Sequence, residues 1–103
     1  MKIFLDTANV EQIKKGARLG VIDGVTTNPT LLAKEGVSDY ETVVKKICNI
    51  IDGPVSAEVV VEGKEEMLKQ ARQIAKWAPN VVVKIPSTAT GMEVTSQLAE
   101  ENI

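Results

Sequence analysis

Lys84 follows three valines and precedes an isoleucine and a proline, in the run VVVKIP from Val81 to Pro86. An ammonium at the end of a β-branched, strand-like run must be desolvated or give up its proton unless an opposite charge meets it. A neutral lysine amine adds to ketone or aldehyde carbonyls and forms an imine. Asp6, Asn28 and Glu58 stand near the ends of three other strand-like runs, IFLD, GVTTN and VSAEVV. Carboxylates converging on an ammonium would hold it by charge and supply acid and base, and partial burial would draw its pKa below about 10.4. The chain has no histidine, so the commonest general base and metal ligand is missing. Its chemistry falls to lysine, carboxylates and hydroxyls, and no metal site is expected.

Four strand-like runs alternate with helical patterns. IFLD is followed by Asn9, a helix cap with Gln12 three residues on, and by a helical segment ending at Gly20. GVTTN ends at Pro29. Ser38 and Glu41 are spaced as a capping box before an apolar stripe running from Tyr40 to Ile51, which Gly53-Pro54 stops. VSAEVV leads to a stripe of Met67, Leu68, Ala71, Ile74 and Ala75, closed by Pro79. After VVVKI, Thr90 and Glu93 are spaced as a second box opening the last helix.

Such alternation predicts a parallel sheet with right-handed crossovers and one domain over residues 1–103. Ile3, Leu5, Val25, Ala57, Val59, Val81, Val83 and Ile85 share one side-chain parity, an apolar face that helices would cover. Asp6, Thr26, Asn28, Ser56, Glu58 and Lys84 share the other, which is polar on every strand. A doubly wound sheet is apolar on both faces, whereas a (β/α) barrel places ionisable groups at the carboxyl ends of its strands, in the lumen mouth. The expectation is an α/β fold of the TIM-barrel type, four βα units forming a half barrel. An open flavodoxin-like sheet is the structural alternative, although neither G-x-G-x-x-G nor a Walker pattern is present.

Each residue also has a plain structural reading. A strand-end lysine can be an ion-paired surface group, Glu58 its structural partner, and Asp6 and Asn28 turn or cap residues. Thr26 and Ser56 can pack the lumen, and Cys48 and Trp77 fit a core or helix face.

The stretches MKIFLDTANVEQI, GVTTNPTLLAKEG, GPVSAEVV and VVVKIPST resemble the small class I transaldolases and fructose-6-phosphate aldolases, and they span the whole chain. That family is an eight-unit barrel, and this chain corresponds to its N-terminal half. The resemblance implies that Lys84 forms the imine, that Asp6 handles the hydroxyl proton during carbon–carbon cleavage, and that Glu58 serves carbinolamine and imine formation. Asn28, with Thr26, would contact substrate. Glutamate at position 58, typically glutamine in the aldolase branch, favours the transaldolase branch. The implied activity is transfer of a dihydroxyacetone unit from a ketose phosphate to an aldose phosphate, a pentose phosphate pathway reaction, with no cofactor. The alternative is a weak or inactive half-barrel assembly module of a truncated or split transaldolase. The family's phosphate-binding residues correspond to positions beyond Ile103.

Composition narrows the partners. A net charge of −2 offers no basic patch for nucleic acid or anionic lipid. No apolar run nears the roughly 20 residues of a membrane span. A lone cysteine, Cys48, forms no intrachain disulfide, and no signal-like segment opens the sequence, so a cytoplasmic location is expected. The expected partners are sugar phosphates and further copies of the chain, as a homodimer or higher oligomer closing the barrel, because a half barrel leaves two strand edges unpaired.

Overall fold

In the computed structural model, which describes residues 1–103, each strand gives way to a helix, and most of the helices are opened by a side-chain cap. The elements are β1 (Phe4–Asp6), α1 (Val10–Leu19), β2 (Gly24–Thr26), α2 (Pro29–Lys34), α3 (Tyr40–Ile50), β3 (Val55–Glu58), α4 (Lys64–Ile74), β4 (Val81–Lys84) and α5 (Ala89–Glu100). The Asn9 side chain accepts the Gln12 N–H at 2.9 Å, and Gly20 ends α1 at φ 72°, a left-handed conformation that glycine adopts without Cβ strain.

Three local details differ from expectation. A short extra helix, α2, fills the connection after β2: Asn28 accepts the Leu31 N–H at 2.9 Å, and Pro29 occupies the first turn, where no N–H is needed. The cap of α3 is Asp39 rather than Ser38. Its ionised carboxylate accepts both the Thr42 N–H at 3.1 Å and the Thr42 hydroxyl at 2.7 Å, a charge-assisted pair that a serine cannot match. These bonds, the hydroxyl's first, hold the Asp39 carboxyl below its ordinary pKa. Helix α5 is capped by Thr88 rather than Thr90, through the Gly91 N–H at 3.0 Å. Gly91 lets the helix begin there, since a Cβ at that position would overlap the Pro86 carbonyl.

The strands form one parallel sheet in the order β1-β2-β3-β4. This order selects between the two expected architectures. A doubly wound sheet changes direction at a switch point and carries helices on both faces, whereas sequential right-handed crossovers place every helix on one side. The fold is the half barrel of the TIM type, with an unclosed sheet.

The core lies between that helical layer and the apolar parity of the strands. Val25, Val55 and Ala57 are fully buried against Ile13, Val44, Ile47, Leu68, Ile74 and Val94 from the helices. The other face is open: Phe4 and Val82 keep 44% and 49% of their surface exposed, because nothing in residues 1–103 covers them. Cys48 is buried in the core, where desolvation raises its thiol pKa.

Polar ties complete the frame. Arg72 donates two 2.8 Å bonds to Glu101, pinning α4 to the end of α5. Hydrogen bonding from Arg72 lowers the Glu101 pKa. A depressed carboxyl contributes stability above its unfolded pKa and loses it as pH falls through the folded value; solvent exposure keeps that contribution small. The Asn80 amide donates to the carbonyls of Ile51 at 2.8 Å, Gly53 at 2.9 Å and Cys48 at 3.3 Å, joining the end of α3 to the start of β4. Asn80→Ala leaves these partly buried carbonyls without their donor. Urea denaturation of this variant is expected to show a loss of about 1–3 kcal/mol, and an unchanged midpoint would contradict the tie.

Candidate active site

Side chains alternate along each strand, so the ladder register decides which polar residues become neighbours. Asp6 lies opposite Thr26, Thr26 opposite Ser56 and Ser56 opposite Val82. Two residues further along, Glu58 lies opposite Lys84. All these side chains belong to the open face, at the carboxyl ends of the strands.

Two pairs result. The Thr26 hydroxyl donates to Asp6 Oδ1 at 2.8 Å, orienting that carboxylate. Lys84 Nζ lies 3.7 Å from Glu58 Oε2, beyond direct hydrogen-bond range but within ion-pair distance. No hydrogen bond or ion pair links one pair to the other. The Lys84 side chain is 51% exposed and that of Glu58 24% exposed. Lys84 is therefore not the buried ammonium that the valine run suggests, because the opposite wall of a barrel is absent from residues 1–103. Asn28 sits at the end of β2, where its Oδ1 is engaged in capping α2 and its amide nitrogen makes no hydrogen bond within the chain.

Beside this row a groove of about 700 Å³ opens between the ends of β3 and β4 and the starts of α2 and α5. Glu58, Val60, Glu62, Pro29, Thr30, Pro86 and Thr88 are among its lining residues, whereas Lys84 and Asp6 are not. The side chains gather no cluster of three or more metal-ligating groups.

Two residues behind the site escape a reading by face and charge. Thr27 is 1% exposed and is the only buried polar residue. Its hydroxyl donates to the Ser56 carbonyl at 2.7 Å and meets the Tyr40 hydroxyl at 3.1 Å. Tyr40 in turn accepts the Glu58 N–H at 2.8 Å. A signal for Thr27 was present, since it shares the apolar parity of Val25 and a buried hydroxyl requires a partner. Tyr40 carried no such signal: in the stripe it counts only as an apolar helix residue.

The family model for transaldolase/fructose-6-phosphate aldolase matches residues 3–103. The chain belongs to this family. It is 65% identical to a probable transaldolase of Dehalococcoides mccartyi, 58% to one of Streptococcus equi subsp. zooepidemicus and 56% to probable transaldolase 2 of Listeria monocytogenes. Each match covers 100% of this chain and 47–48% of the relative, so the chain spans about half the length of the curated relatives it matches.

Within this member of the transaldolase/aldolase family, the segment after Lys84 depends on close packing of Gly91 on Pro86. Gly91→Ala forces the start of α5 away from Pro86. Thermal and urea unfolding should show destabilisation of about 1–3 kcal/mol, and wild-type stability would show that the loop yields without cost.

Proposed function

We propose that residues 1–103 carry the imine-forming part of a transaldolase-type site, which transfers a dihydroxyacetone unit from a ketose phosphate to an aldose phosphate. The observation that carries this reading is the Glu58–Lys84 ion pair at 3.7 Å, set by ladder register at the strand ends of a chain in the transaldolase/aldolase family.

The first step uses Lys84 as a neutral amine and Glu58 as a proton donor. Lys84 Nζ adds to the ketose carbonyl carbon, and the resulting carbinolamine hydroxyl leaves as water on taking a proton from Glu58. The product is an iminium. Asp6, oriented by Thr26, removes a proton from the hydroxyl two carbons from the iminium carbon. The carbon–carbon bond then breaks, its electron pair enters the iminium as an enamine, and an aldehyde departs. Addition of the enamine to an acceptor aldehyde reverses these electron movements, and hydrolysis restores the amine. Asn28, whose amide nitrogen makes no hydrogen bond within the chain, would donate to a substrate oxygen. No metal or organic group is required by this sequence of steps.

For residues 1–103 by themselves, a second copy is the proposed partner. Strands β1 and β4 are free edges of one parallel sheet, and Phe4, Val60 and Val82 are exposed hydrophobic residues. Two-fold pairing of β4 with β1 of the other copy removes both edges with one type of interface. No helix is long and apolar enough to cross a membrane.

Incubation with dihydroxyacetone or fructose 6-phosphate and borohydride should add one three-carbon unit to the chain, detected by intact mass and absent from Lys84→Arg. A wild-type chain without adduct at millimolar donor would overturn the imine assignment. Light scattering of residues 1–103 at micromolar concentration should show a dimer or larger species, and a stable folded particle of one chain mass would contradict the closure.

A further inference from the structure

Strands β2 and β3 part company just where Glu58 needs support. The Thr27 N–H donates to the Ser56 carbonyl at 3.3 Å, and regular parallel pairing would next bring the Glu58 N–H to the Thr27 carbonyl. β2 instead ends at Thr26, and Asn28 turns away to cap α2. The Glu58 N–H bonds to the Tyr40 hydroxyl at 2.8 Å. We infer that Tyr40, carried on α3 outside the sheet, is a positioning residue for Glu58, holding its main chain at the height that brings the carboxylate to Lys84. This rests on the imine reading above.

The hydrogen-bond chain has one consistent direction. Thr27 has a single hydroxyl proton, which goes to the Ser56 carbonyl at 2.7 Å. At the 3.1 Å contact the Thr27 oxygen therefore accepts, and the Tyr40 O–H donates. Glu58 N–H, Tyr40 O–H and Thr27 O–H thus form a relay that returns to β3 at Ser56, two residues before its start. The segment Ser56–Glu58 is clamped at both ends.

The phenol is itself fixed. Its ring meets Trp77 edge-on, with centroids 5.7 Å apart and planes at 83°. Burial raises the Tyr40 pKa, so the hydroxyl keeps the proton it donates. Side-chain alternation sends the Glu58 carboxylate to the open face, where Oε2 stands 3.7 Å from Lys84 Nζ. A shift of the Glu58 main chain therefore changes the separation of acid and amine.

Tyr40→Phe keeps the ring and its contact with Trp77 while removing only the hydroxyl. The test is a double-mutant cycle with Glu58→Gln, reading the rate of borohydride trapping against dihydroxyacetone concentration on residues 1–103. Tyr40→Phe is expected to retain the wild-type far-UV spectrum and half-saturating concentration, with a maximal trapping rate lower by about tenfold. In the Glu58→Gln background the same change should cost nothing further. Thr27→Val, which removes the acceptor of the Tyr40 proton, should act in the same direction and also lose its effect beside Glu58→Gln. A wild-type rate in Tyr40→Phe, or an equal loss with and without Glu58, would overturn the inference while leaving the imine reading intact. Unfolding of both single variants would assign Tyr40 and Thr27 to stability alone and overturn it too. Absence of any wild-type adduct would overturn the imine reading, and this inference with it.

Discussion

The two-residue alternation of side chains across a parallel sheet, with α1, α3, α4 and α5 packed on one face, is the constraint on which the rest of the structure depends. It separates the molecule into a face that excludes water and a face that carries charge. Val25, Val55 and Ala57 are buried because their parity points at the helices, while Asp6, Thr26, Glu58 and Lys84 occupy the other face by the same rule. A slip of one residue in β1, β3 or β4 would exchange these sets, driving an ion into the core and an aliphatic side chain onto the open face. The hydrophobic effect therefore enforces the register that places Glu58 opposite Lys84.

This dependence gives the helical layer a part in placing the residues of the polar face. The caps at Asn9, Asn28 and Thr88 fix where α1, α2 and α5 start, and hence where the preceding strand must end. Just beyond β2, Asn28 opens α2 with its side-chain oxygen, while its amide nitrogen makes no hydrogen bond within the chain. The gap this turn leaves beside β3 is filled by Thr27 and Tyr40, hydroxyl groups standing in for main-chain pairing.

Burial within residues 1–103 is unequal. The helix-facing side is packed, but the lumen side has only one wall, which is why Lys84 is half exposed and why Phe4 and Val82 face outward. An ion pair in such a setting is screened by water and contributes little to stability. Its electrostatics would change once a second wall excluded water, since the attraction between the partners strengthens as the local dielectric falls. Architecture and chemistry are thus coupled through solvent access, in keeping with relatives about twice as long.

Alternating βα order, the apolar and polar parities, and the placement of Asp6, Thr26, Glu58 and Lys84 on one face were legible in the sequence, because each follows from short-range periodicity and residue type. The motifs around those residues likewise carried the family. The caps were legible only to within a residue or two: Ser38 and Asp39, or Thr88 and Thr90, are chemically similar candidates, and choosing between them depends on contacts with Thr42 or Pro86. Helix α2 was hidden inside a loop-like stretch, because six residues carry too little periodicity to stand out. Strand order, and with it the choice of a half barrel over a doubly wound sheet, was decided only in three dimensions. So were the 3.7 Å separation of Glu58 from Lys84 and the Tyr40–Thr27 relay. These depend on hydrogen bonds and contacts between residues 13 to 29 positions apart, a distance over which local pattern carries no information.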